Sequence, residues 1–258
     1  MIFESNGYRI YYEQYGAGRD IVLLHGWGGR IDSFKPLIRD FSAEARITVL
    51  DFPGHGKSSL PPEPWSVTEY AQAVACWMES IGISNADIIA HSFGGRVAIV
   101  LAATYPNLVG KLVLTGVPVP GLVAQKISAK QKMRSCAYST LKKLCSEKLL
   151  GKKTASALRE KLILRFGSAD YRALVPEMRP TFNRIIHQKL DGYLPSIQSS
   201  ALLVWGDKDT AATIETARAM ERVMKDAGLV VFENADHFAY LHEYMRFKIV
   251  VHKFLLEK

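Results

Sequence analysis

The stretch Asp87-Ile88-Ile89-Ala90-His91-Ser92-Phe93-Gly94-Gly95 sets a serine where a short apolar run stops and a run of helical period begins. A serine on so tight a strand-to-helix turn is thrust above the edge of a sheet, where its hydroxyl can attack a substrate. Such a turn needs small residues two places before and two after the serine, because strand and helix crowd together there. Gly94 meets that need, and Ala90 exceeds it by one methyl group. A serine hydroxyl is almost never ionised near neutral pH, so it needs a base within hydrogen-bond reach and a third group to fix that base's tautomer. His237 follows the last strand-like run, on a stretch able to lean over a sheet edge. His242 begins a helix, His91 abuts the serine and is expected to face elsewhere, and His25 reads as a hydrogen-bonder that shapes its own loop. For the third group, Asp207 and Asp209 both follow the run Leu202–Trp205, while Asp236 stands too near His237 to orient it.

These residues need a frame. Phe3-Glu4-Ser5, Asn6-Gly7 and Tyr8–Tyr15 read as a hairpin, since Asn-Gly suits a turn with positive φ at both positions. Short β-branched runs follow at Ile21–Leu24, Ile47–Leu50, Ile88–Ala90, Leu112–Leu114, Leu202–Trp205 and Val230–Phe232. They are continuously apolar, as expected of strands buried on both faces of a parallel sheet. Segments of helical period lie between them: Val67–Ile81 with Thr68 near its start, Phe93–Tyr105 halted by Pro106, Thr213–Ala227 stopped by Gly228, and Leu241–Leu256. Alternating strands and helices predict an α/β fold, an eight-stranded mostly parallel sheet flanked by helices. The long interval between the runs at Leu112 and Leu202 is helical in composition. It predicts an inserted helical cap over residues 122–189, between the sixth and seventh strands, with residues 1–121 and 190–258 forming the core.

Taken together, His25-Gly26-Trp27-Gly28-Gly29, Asp51-Phe52-Pro53-Gly54-His55-Gly56-Lys57-Ser58, the serine turn, Trp205-Gly206-Asp207-Lys208-Asp209 and Asn234-Ala235-Asp236-His237-Phe238 resemble the α/β-hydrolase superfamily. The likeness is to its compact serine esterases with a helical cap, and it covers nearly the whole chain. In that family the acid stands three residues after the glycine that ends its strand, which points to Asp209, and Asp51 belongs to a turn outside the catalytic set. The resemblance implies Ser92 as nucleophile, His237 as base and Asp209 as orienting acid. It also implies an oxyanion hole formed by the backbone amides of Phe93 and Trp27. The Trp27 indole is available either as a wall of the acyl pocket or as packing. The implied activity is hydrolysis of a small-molecule carboxylic ester. A carbon–carbon bond hydrolase and an acyltransferase would use the same three residues, and a non-catalytic receptor on this fold is the reading from another class.

Composition narrows the field. The 258 residues are 48% apolar and 22% charged, which excludes intrinsic disorder. The longest unbroken apolar run, Val97–Ala103, falls far short of the ~20 residues of a membrane-spanning helix. The start has no secretory signal pattern, and the three cysteines Cys76, Cys136 and Cys145 form no CxxC pair, so a reducing cytoplasm is the expected location. No Rossmann fingerprint, P-loop or metal-ligand spacing occurs, so no cofactor and no metal are expected. A serine at the turn argues against dehalogenases and epoxide hydrolases of the same superfamily, whose nucleophile is aspartate. The net charge of +8 is uneven: residues 118–195 hold 16 Lys/Arg against 5 Asp/Glu. A solvated helical surface is the plainer reading, attraction of acyl groups bearing carboxylate or phosphate the sharper one, and no nucleic-acid-binding motif accompanies the charge. Met133, Tyr138, Phe166, Tyr171, Met178 and Phe182 are the apolar groups of this segment available to line a pocket or to pack.

Overall fold

The structure is a computed structural model and describes residues 1–123, 133, 141, 151–166 and 169–257. Eight strands form one sheet: β1 (Ile2–Ser5), β2 (Tyr8–Tyr15), β3 (Arg19–Leu24), β4 (Ala45–Leu50), β5 (Ala86–His91), β6 (Val109–Thr115), β7 (Ala201–Gly206) and β8 (Ala227–Phe232). Their order is β1-β2-β4-β3-β5-β6-β7-β8; β2 is antiparallel to both neighbours and all later pairs are parallel. The hairpin turn has Asn6 at φ 43° and Gly7 at φ 81°, the two positive values that Asn-Gly tolerates.

The described α-helices are α1 (Lys35–Phe41), α2 (Val67–Ser80), α3 (Phe93–Thr104), α4 (Lys152–Phe166), α5 (Ala169–Ala173), α6 (Met178–His187), α7 (Ile214–Val223), α8 (Ala239–His242) and α9 (Tyr244–Leu255). None is long and apolar enough to cross a membrane. Strand side chains alternate between two apolar layers. Val22, Leu24, Ile88, Ala90, Leu112, Leu114, Leu203 and Trp205 join α2, α3 and α7 on one face. Ile21, Leu23, Ile89, Val113, Leu202 and Val204 join α1 and α9 on the other. Both faces are covered at the centre of the sheet, so Ile21–Leu24, Ile88–Ala90, Leu112–Leu114 and Ala201–Trp205 are apolar at every position, whereas β1 and β2 at the edge carry exposed polar residues.

Helix starts and stops follow local chemistry. Ser66, not Thr68, caps α2: its hydroxyl accepts from Thr68 N–H at 3.2 Å, and the Glu69 carboxylate accepts the Ser66 N–H at 2.7 Å. The helix expected over Thr213–Ala227 ends at Val223, because residues 227–232 pair in parallel with β7 along its full length. Gly228 therefore lies inside a strand and stops no helix. The segment Leu241–Leu256 is two helices, broken at Glu243. A 3-10 turn at Ile31–Phe34 leading into α1 has no counterpart among the expected elements.

The chain divides into two units, Met1–Val123 with Asn183–Lys258, and Ala124–Phe182. Within the second, Ala155, Ile163 and Met178 are buried, Arg179 pairs with Glu160, and the Tyr171 and Phe182 rings meet at 5.7 Å. Met133 is exposed, while Tyr138, Cys136 and Cys145 lie outside the described residues.

Candidate active site

In an open parallel sheet, ligands bind beyond the carboxyl ends of the strands, where neighbouring connections depart in opposite directions. Here that point falls between β3 and β5: β3 leads to β4 on one side, and the chain then crosses back to β5 on the other. Gly26-Trp27 lie on the loop leaving β3, and Ser92 follows His91, the last residue of β5.

Ser92 sits between β5 and α3 with φ 51° and ψ −112°, a conformation that non-glycine residues rarely adopt. The surroundings hold it there. Its amide donates to Thr115 O at 3.0 Å, and its carbonyl accepts from Arg96 N–H at 3.2 Å. The tightness of the turn is visible at its glycines. A methyl group added at Gly94 would lie 2.1 Å from Leu24 O, and one at Gly95 would lie 2.1 Å from the Val117 side chain. Ala90, by contrast, is accommodated fully buried.

Three side chains distant along the chain converge at this point. His237 Nε2 lies 3.1 Å from Ser92 Oγ, and His237 Nδ1 lies 2.8 Å from Asp209 Oδ2. A carboxylate only accepts, so the proton sits on Nδ1 and leaves Nε2 free to accept from the serine hydroxyl. The other carboxylate oxygen, Asp209 Oδ1, accepts from the amides of Ala211 and Ala212, each at 2.8 Å, and the Asp209 side chain is almost fully buried. Asp207 instead lies 3.8 Å from Lys208 Nζ. Asp236 pairs with His242 at 3.0 Å on the surface and accepts from Phe238 N–H, away from the serine.

The two loops that carry acid and imidazole are fastened together. Lys208 N–H donates to Ala235 O and Asp207 N–H to Phe232 O. A methyl group on Gly206 would strike Ala235 O at 2.2 Å, so glycine lets the end of β7 approach the histidine loop. Gly116, at φ 59°, passes beneath the imidazole, where an added methyl would lie 3.0 Å from His237 Nδ1.

Comparison with known proteins follows the same lines. The model of the alpha/beta hydrolase fold family matches residues 21–244. The chain belongs to that family. A 2-hydroxy-6-oxononadienedioate/2-hydroxy-6-oxononatrienedioate hydrolase of Burkholderia vietnamiensis is 28% identical over 279 residues, covering 99% of this chain and 93% of the relative. A pimeloyl-[acyl-carrier protein] methyl ester esterase of Neisseria meningitidis is 27% identical, covering 87% of this chain and 89% of its own. Among solved structures, the enol-lactonase of Burkholderia xenovorans LB400 superposes with a TM-score of 0.73 at 22% identity, over 99% of both chains, which bears on the fold. Family and relatives together support a hydrolase function without fixing a substrate class.

Around the array, this alpha/beta hydrolase packs an aromatic wall. The Phe93 ring meets Trp27 at 5.3 Å, Phe52 at 5.1 Å and Tyr70 at 5.0 Å. Gly26 brings the β3 loop against the serine turn: an added methyl would lie 3.4 Å from Ser92 Cβ and 2.8 Å from His91 Nδ1. The loop is shaped by His25, as expected. Its Nδ1–H donates to Gly26 O at 2.7 Å and its Nε2 accepts from Phe52 N–H at 3.1 Å. Burial holds this imidazole neutral, lowering its pKa to about 3. Asp51 ties the neighbouring turn, accepting from Ile31 and Lys57 amides at 2.8 Å each.

Two features escaped the sequence reading. His91 does not face away: its ring lies 4.8 Å from that of His237, and its Nε2 is 3.0 Å from the His237 carbonyl oxygen. Gly116 gave no signal, because a glycine after a strand reads as an ordinary turn. The His91 contact was hidden because it joins residues 146 apart through a main-chain atom.

Proposed function

We propose that the protein is a serine hydrolase that cleaves a small-to-medium carboxylic ester through an acyl-enzyme. The observation that carries this reading is the Asp209–His237–Ser92 array, with contacts of 2.8 and 3.1 Å beside a strained serine at the sheet's switch point. His237 Nε2 takes the Ser92 proton as Oγ bonds to the ester carbonyl carbon, and the Asp209 carboxylate stabilises the imidazolium. The carbonyl oxygen becomes an oxyanion. Phe93 supplies one donor, because an amide in the first turn of α3 has no intrahelical acceptor, and the Trp27 amide on the adjoining loop supplies the second. The carbon–oxygen bond then breaks, and the alcohol leaves with the proton from His237. Water, activated by the same imidazole, attacks the acyl carbon and returns Ser92 and the free acid.

A second reading has one observation in its favour. The Burkholderia vietnamiensis relative is named for a substrate with a 6-oxo group, a ketone, and the same three residues serve hydrolysis of a carbon–carbon bond in a β-diketone-like compound. That relative's substrate is also a dioate, and the net charge of +8 supports a preference for acyl groups bearing a negative charge. The segment 122–189, read as a cap, is proposed to set acyl preference.

The test is a substrate panel with wild type and Ser92→Ala in parallel. It comprises p-nitrophenyl esters of graded chain length, a monomethyl ester of a dicarboxylic acid and a β-diketone. Ester turnover by wild type and its loss in the variant are expected. Turnover confined to the diketone would replace the ester reading with the second one, and no turnover of any member would refute both.

A further inference from the structure

The base of the proposed mechanism sits on a loop, and a loop imidazole must be held to within a fraction of an ångström to receive the serine proton. Side-chain bonds to Asp209 and Ser92 fix the ring, but they act at its far end. The main chain of His237 needs its own anchor. Asn234 takes a positive φ of 59° on the way into the loop, and Lys208 N–H fastens the carbonyl of Ala235. At His237 itself the carbonyl oxygen accepts a hydrogen bond from His91 Nε2 at 3.0 Å.

His91 is the last residue of β5 and immediately precedes Ser92. Two consecutive residues at one strand end therefore grip His237 at two points, Ser92 at the ring and His91 at the backbone. We propose that His91 is a positioning residue for the reaction, whose Nε2–H donates to the His237 carbonyl and so fixes the imidazole between Asp209 and Ser92.

The surroundings suit that task. A carbonyl only accepts, so the bond requires the proton on His91 Nε2. The ring is buried and clamped, 4.6 Å from Tyr240, 4.8 Å from His237 and 5.4 Å from Phe238. The titratable groups facing it are His25, His237, Asp209 and Tyr240. Burial, and then the nearby His237, lower its pKa to about 3, so one neutral form persists across the working pH range. A ring there only for packing would be replaceable by phenylalanine.

This inference rests on the serine-hydrolase reading, and its test separates the two. His91→Phe keeps the flat ring and removes the donor; His91→Gln places an amide N–H near the position of Nε2. With the best ester of the panel, kcat for His91→Phe is expected to fall about 100-fold at nearly constant KM, the scale of a misplacement of about 1 Å. The acid limb of its kcat/KM profile is expected to shift, and His91→Gln is expected to recover most of the loss. Unchanged kcat in His91→Phe, or equal losses in both variants, would overturn the proposal. Long-range ¹H–¹⁵N spectra read the His237 ring without any turnover. Wild type is expected to show the proton fixed on Nδ1 and His91→Phe an average of tautomers; identical ring signals would again overturn the positioning role. A His237 ring that depends on His91 in a protein that cleaves no ester would uphold the positioning and refute the ester-hydrolase reading.

Discussion

At the scale of single residues, the choice between two aspartates separated by one residue shows how position rather than type assigns a role. Asp207 and Asp209 leave the same strand, yet only Asp209 reaches His237, with its second oxygen held by two amides. Asp207 is half-exposed beside Lys208. Asp209→Asn is expected to lower kcat by roughly 10⁴-fold, because an amide that donates to Nδ1 favours the wrong tautomer. Asp207→Asn is expected to stay near wild type. Steady-state kinetics on both variants check this, and equal losses would contradict the assignment. The serine and the histidine were legible in the sequence from residue type and from the runs around them. The acid was not: both aspartates satisfied the local pattern, and only the resemblance to a family separated them. His91 was legible as a residue beside the nucleophile but not as a partner of the His237 main chain, since no periodicity marks a contact to a carbonyl.

The elements position these groups by close approach. α3 can start at Ser92 only because Gly94 lets the helix press against Leu24 O, the end of β3. Gly94→Ala forces that contact apart, moving either the serine turn or the β3 loop that carries Trp27. A loss of stability of roughly 1–3 kcal/mol is expected, the usual scale of overpacking, together with a fall in kcat. Urea unfolding and kinetics on the purified variant measure both, and an unaltered midpoint would contradict the packing argument. Strand positions were the most legible part of the fold, because burial on both faces writes the central parallel strands as unbroken apolar runs, while β1 and β2 were marked by the Asn6-Gly7 turn between them. The elements that were misread share a different cause. Ala227-Gly228 has little intrinsic strand preference and becomes β-structure through its pairing with β7. The Ile31–Phe41 region alternates a 3-10 turn with a short helix, too brief for a helical period to emerge.

For the whole molecule, the cost of building the site is a core that contains imidazoles. His25, His55 and His91 are all buried, and burial lowers their pKa values to about 3, 4 and 3 from 6.5. The folded state refuses protons that the unfolded chain accepts. Their contribution is thus fully present above about pH 6.5 and is lost as pH falls from 6.5 to about 4 for His55 and to about 3 for His25 and His91, at up to about 1.4 kcal/mol per pH unit for each ring. Denaturant midpoints measured between pH 7 and pH 4.5 are expected to drop steeply, with a shallower slope in His25→Asn. A flat profile, or equal slopes in the two proteins, would contradict this account. Overall charge was legible as a number, but a count of lysines does not distinguish a solvated surface from one that draws in an anionic acyl group.

The central claim, that His237 activates Ser92 as a nucleophile, is tested most directly by covalent capture. Wild type, Ser92→Ala and His237→Ala are treated with a fluorophosphonate, and the modified peptide is located by mass spectrometry. One adduct on Ser92 in wild type, absent from the serine variant and strongly slowed in the histidine variant, is the expected result. An unlabelled wild type, or an adduct formed as fast without His237, would contradict it.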